Sequence, residues 1–90
     1  MTAETIAPVT VLGVVCAHRG DSYGARTWVG VSAAGLTLRL TRERDCWLTV
    51  LRGVDVISQG RGATVDEAEA ACERWAMERQ ALLAHVRRVT

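Results

Sequence analysis

The residues best suited to chemistry in this chain are few and scattered. Cys16-Ala17-His18 sets a thiol and an imidazole two residues apart, on one face if the segment is a strand. One thiol and one imidazole do not make a zinc site, and no Cys-x-x-Cys pair occurs. The other histidine, His85, lies far away near the end of an expected helix. Glu69 and Glu73 share a helix face, with no nucleophile or base pattern beside them. Gly60-Arg61-Gly62 precedes a helix start, where anions can bind. Its spacing matches neither phosphate-binding glycine motif, and the first helical turn is acidic. Arg19-Gly20-Asp21 spells an integrin-type tripeptide in an expected loop, a three-residue match of the kind that chance supplies. No catalytic residue, metal or cofactor is therefore expected, and the chain reads as non-enzymatic.

A different constellation suggests binding. Arg39, Arg42, Arg44 and Arg52, with Trp28 and Trp47, have the composition of a basic aromatic surface on a sheet. Such surfaces stack nucleic-acid bases and meet phosphates. The net charge is only +1, and Glu43, Asp45 and Asp55 interleave, whereas strong nucleic-acid binders are clearly basic. Charge is also segregated. Residues 18–62 hold seven Arg against four acids, and residues 64–86 hold five acids against two Arg. All eleven basic residues are Arg, and Phe and Asn are absent. That usage points to a GC-rich coding genome.

Ninety residues make one domain with a small core. No run of about 20 apolar residues appears, so no spanning helix is expected. The apolar stretch from Val9 to Ala17 is short and lacks a basic flank. A cytoplasmic protein without a membrane partner is the expectation. Cys16, Cys46 and Cys72 are odd in number and sit at apolar positions. They are expected to be free, buried thiols.

The elements that must position these residues follow from periodicity. Residues 1–8 read as a loose tail. Val9–Cys16 is rich in β-branched residues and reads as a strand, His18–Ala25 as a loop, and Arg26–Ser32 as a second strand. Leu36, Leu38 and Leu40 alternate with Thr37, Arg39 and Thr41, the period of a half-buried strand. Cys46–Arg52 and Val54–Ser58 read as further strands. Both faces of these two are apolar, with Leu48 and Val50 opposed to Trp47, Thr49 and Leu51. One helix covers only one face of a sheet, so the second face should meet another surface. Residues 59–62 read as a flexible link.

From Thr64 to about Val86 the pattern becomes helical. Thr64 with Glu67 forms a capping box. Val65, Ala68, Ala71, Cys72, Trp75, Ala76, Leu82, Leu83 and Val86 share one stripe. Arg79 interrupts it. At about 1.5 Å per residue such a helix is roughly 34 Å long, more than the ~17–20 Å of a typical strand. Its last third should overshoot the sheet. The expected fold is α+β, an antiparallel sheet of four to five strands with one long C-terminal helix packed on one face.

The stretch Trp47-Leu-Thr-Val-Leu-Arg-Gly followed by Gln59-Gly-Arg-Gly-Ala-Thr-Val-Asp-Glu-Ala-Glu-Ala-Ala resembles small uncharacterised proteins of phages and prophages. In these a Trp-bearing hairpin leads through Gly to a capped, Ala-rich helix. The Gly-x-Thr-x-x-Glu-Ala start is also similar to the antitoxin partner of the HicA toxin, a family that continues into a further strand. The resemblance covers about 30 residues. It implies a mobile-element setting and a small inhibitor or regulator of a larger host complex, a CRISPR effector for example. The expected partner is a protein, either a host complex or a second copy in a homodimer. The residues expected to meet it are Trp47, Arg79, Arg39, Arg42, Arg44, Trp28 and Tyr23. A sheet-based nucleic-acid binder or antitoxin-like regulator is the alternative.

Overall fold

The computed structural model describes residues 6–89, and their side chains as far as residue 88. Six strands run in sequence order, each antiparallel to its neighbours. They are β1 (Val9–Val11), β2 (Val14–Ser22), β3 (Ala25–Val31), β4 (Thr37–Arg42), β5 (Cys46–Arg52) and β6 (Asp55–Gly62). The sheet curls into a half-barrel, and one helix, α1 (Val65–Val89), lies against its inner face. The α+β class and the C-terminal helix match expectation. The strand number does not.

Three local features account for the difference. Val9–Cys16 is two strands, because the chain reverses at Leu12 (φ 49°) and Gly13 (φ 77°). Val11 then pairs with Val14. Two consecutive residues at positive φ form the tight hairpin turn that matches strand twist. The same turn recurs at Tyr23 (φ 51°) and Gly24 (φ 81°). It converts most of the expected 18–25 loop into strand, with Asp21 paired to Arg26. Residues 59–62 are the end of β6 rather than a flexible link, paired from Gln59↔Thr49 to Gly62↔Cys46. Of the expected tail, residues 1–5 lie outside the described residues. Ile6 packs on the core, and the Ala7 carbonyl accepts a hydrogen bond from Trp28 Nε1 at 3.0 Å.

The register decides which side chains point inward. Trp28 pairs with Leu40, Leu40 with Leu48, and Leu48 with Gly60. Gly30, Leu38, Val50 and Ser58 form the next inward row. With Val11, Cys16, Cys46, Ala68 and Cys72 these rows make the core.

The helix approaches β6 so closely that side chains are excluded beneath it. A Cβ on Gly60 would lie 2.6 Å from the Ala68 carbonyl oxygen and 2.7 Å from the Ala71 Cβ. One on Gly62 would lie 2.8 Å from the Glu67 carbonyl carbon. Ser58 Oγ donates to the Cys72 carbonyl at 2.7 Å, and Cys72 Sγ reaches the Leu48 carbonyl at 3.5 Å. On the opposite side Glu69 Oε2 accepts the Leu12 amide at 2.6 Å, tying α1 to the β1–β2 turn. The helix start is capped as expected. The Glu67 amide donates to Thr64 Oγ1 at 3.2 Å, and Glu67 Oε2 accepts the Ala63 amide at 2.8 Å.

Gly60→Ala should destabilise the protein by about 1–3 kcal/mol, the usual cost of overpacking against backbone. Thr64→Ala should cost about 1 kcal/mol as a lost cap. Urea denaturation midpoints test both, and a Gly60→Ala variant as stable as the parent would contradict the close approach.

Candidate functional site

Among the described residues no element covers the outer face of the half-barrel, and α1 leaves the sheet part-way along. Two surfaces therefore exist, and the expected site residues divide between them and elsewhere.

On the outer face Trp47 pairs with Arg61 across β5 and β6 and with Thr41 on β4. The Arg61 guanidinium lies over the Trp47 ring at 5.0 Å from its centroid, and Arg61 Nε is 3.3 Å from Asp45 Oδ2. The Trp47 ring is thus half exposed but engaged on one face. The neighbouring outward row is Val29, Arg39, Thr49 and Gln59. Arg39 sits exposed near its centre. Beyond it run Val31, Thr37, Leu51 and Val56. Val31 and Val56 are exposed. Leu48 and Val50 face inward and Trp47, Thr49 and Leu51 outward, which settles the two-faced pattern of β5.

Arg42, Arg44 and Tyr23 cluster at one end of the sheet. Arg42 pairs with Arg26 beside the β2–β3 turn, whose tip carries a fully exposed Tyr23. Arg44 is exposed in the β4–β5 turn. Asp21 binds this end together, with His18 Nε2 at 2.9 Å and Arg26 Nε at 3.5 Å. Trp28 is not a surface residue. It is 4% exposed, its indole N–H is spent on Ala7, and His18 meets its ring edge-on at 5.9 Å. Read as a partner-binding aromatic, it is instead a core residue, because the register places it in the inward row with Leu40.

The second surface is the exposed half of α1. The helix doubles back along β6, with Glu67 against Gly62 and Cys72 against Gly60. It therefore runs away from the end that holds Arg42 and Arg44. Burial ends at Ala76, and every described side chain from Met77 to Arg88 is exposed. At about 1.5 Å per residue this arm is roughly 20 Å long, and the molecule is elongated, 63 × 27 × 21 Å. The arm carries Met77, Leu82, Leu83 and Val86 in the open, at 67, 62, 51 and 50% exposure. Arg79, the residue that interrupts the stripe, lays its guanidinium over the Trp75 ring at 5.1 Å. Trp75, Glu78, Arg79 and Leu82 line a shallow open groove. The overshoot expected from helix length is present and longer than expected. Leu82, Leu83 and Val86, on the same stripe as the core residues but in the third expected to overshoot, are exposed.

Cys16, Cys46 and Cys72 are free and buried. Burial pushes the Cys16 and Cys72 thiols above the ordinary value of 9.0. At Cys72 the Ser58 hydrogen bond opposes that rise, while Glu69 and Glu73 add to it. No group of three or more His, Cys, Asp or Glu among the described residues is arranged to hold a metal. No helix among them is long and apolar enough to cross a membrane. Comparison with family models, curated proteins and solved structures finds no match.

Since folding raises these two thiol pKa values, the folded state keeps protons that the unfolded chain releases at alkaline pH. This contribution to stability is whole below the ordinary thiol pKa and declines as pH rises past it. The urea midpoint should fall from neutral to strongly alkaline pH. A midpoint that climbs over that range would contradict the assignment.

Proposed function

We propose that this chain is a small, non-enzymatic protein-binding module, and that its arm is the docking element. The observation that supports this reading is the exposure of Leu82, Leu83 and Val86 on one side of an arm whose described side chains, from Met77 to Arg88, are all exposed. Small proteins seldom leave such a face uncovered without a partner. Amphipathic helices that dock present anchors at this spacing, with the burial of a few large side chains supplying most of the affinity. A narrower version rests on the resemblance to phage and prophage proteins. In it the chain inhibits or regulates a larger host defence complex such as a CRISPR effector.

The nucleic-acid alternative has less support. Arg61 already occupies one face of Trp47, and Asp45 already partners Arg61. The outer-face cation Arg39 stands apart from Arg42 and Arg44 at the sheet end.

The test uses the tagged chain and a Leu82→Asp/Val86→Asp variant, both verified as folded by circular dichroism. The parent should co-purify a protein in stoichiometric amount, either a second copy or a host protein, and the variant should lose it. In cells with a functioning CRISPR effector, the parent should raise the plating efficiency of a targeted phage if the narrower version holds. A parent that purifies as a lone monomer, or a variant that retains its partner, refutes the docking role of the arm. A mobility shift of single- or double-stranded nucleic acid at low salt that Arg39→Glu abolishes would favour the alternative instead.

A further inference from the structure

We infer that the arm of α1 pairs with the same arm of a second copy of this chain, antiparallel, about a twofold axis beside Ala84. The inference rests on the reading of the arm as a docking element and names its occupant.

Spacing along the helix is the first support. Val65, Ala68, Cys72, Trp75, Arg79, Leu82 and Val86 follow one another at intervals of three and four residues without a break. That heptad spacing makes a seam suited to another helix. The sheet occupies the seam at Ala68 and Cys72, which are 0 and 1% exposed, and partly at Trp75. Past Ala76 the seam continues through Leu82 and Val86, which are 62 and 50% exposed.

The sheet also limits how a second helix can lie there. In a parallel pair the second copy's residues 65–76 would have to pass through the space the first sheet fills. An antiparallel pair avoids this, provided its far end stops short of Trp75. Matching the two seams under that limit sets Leu82 against Val86 of the second copy, and Val86 against its Leu82. Leu83 then meets Leu83 of the second copy across the axis. The aliphatic side chains left open on the seam side of the arm are the ones this arrangement covers.

Charge agrees with the geometry. The base of the arm is acidic at Glu78 and its tip is basic at Arg88. Antiparallel pairing brings Glu78 of each copy to the side that carries Arg88 of the other, and it opposes the two helix dipoles. Arg79 falls in the outermost layer, where its head already rests on Trp75 and need not be buried. The area covered is small, roughly 1,000 Å² or less, in the range of transient associations. The dimer should therefore be concentration-dependent.

Sedimentation equilibrium of the full chain should show a reversible monomer–dimer equilibrium. Leu82→Asp should weaken it more than about tenfold, with an unchanged circular dichroism spectrum. Glu78→Arg should weaken it as well, and adding Arg88→Glu should restore it. Leu82→Cys and Val86→Cys variants, mixed and mildly oxidised, should form an interchain disulfide between positions 82 and 86. Peptide mass spectrometry would read that link out. The parent, whose three thiols are buried, should not cross-link. A parent that stays monomeric at the highest concentrations overturns the inference. So does a dimer that survives Leu82→Asp, or one that joins position 82 to position 82 in preference to 86. A monomeric parent that still captures a host protein in a Leu82-dependent manner removes self-pairing alone and leaves the protein-binding reading standing.

Discussion

The close contact between α1 and the glycines of β6 is the constraint on which the rest of this structure depends. A helix normally rests on a sheet through a layer of side chains. Here Gly60 and Gly62 remove that layer, and the Ala68 and Cys72 backbone comes down almost onto the strand. Small residues are required on both sides, which explains Ala68, Ala71 and Cys72 on the facing helix. Three polar links fasten the contact, from Ser58 to the Cys72 carbonyl, from Cys72 Sγ to the Leu48 carbonyl, and from Glu69 to the β1–β2 turn. With the first three turns of α1 fixed this tightly, the direction of the remaining turns is fixed as well. The exposed arm is a product of that grip.

The grip also explains how so small a chain forms a core. Among the described residues the inward rows hold one aromatic ring, Trp28, and a handful of aliphatic side chains. Curling the sheet around a closely held helix lets these few groups enclose one another. The thiols of Cys16, Cys46 and Cys72 serve in this setting as small apolar fillers. Burial holds two of them protonated, which suits packing better than reactivity.

The sequence made some of this legible and hid the rest for identifiable reasons. The Leu36–Leu40 alternation and the Thr64–Glu67 box specify β4 and the start of α1 directly, since each is a local pattern with one physical reading. The two hairpin turns were hidden because Leu12 and Tyr23 stand where Asn or Asp usually signals positive φ. Gly60-Arg61-Gly62 resembles a linker by composition, and only the helix above it shows why those positions must be bare. Trp28 and Trp47 both looked able to face outward. Strand register alone separates them, since a shift of one residue exchanges the faces, and register is a property of pairings distant in sequence. On the arm, the stripe and its overshoot were both visible, because the helix is longer than a strand. The point of departure was not, since Leu82 and Val86 repeat at the same spacing as Cys72.

A stiff rod clamped at one end is a lever. From the Gly60 contact at Cys72 to the tip of α1 is roughly 25 Å, so a tilt of about 10° there carries the tip through roughly 4–5 Å. Small changes in the curl of the sheet, or in the grip of Glu69 on the Leu12 amide, are thereby magnified at Leu82 and Val86. The same leverage runs backwards, since force on the tip is felt most strongly at the glycines, where the backbones have no side chains to yield between them.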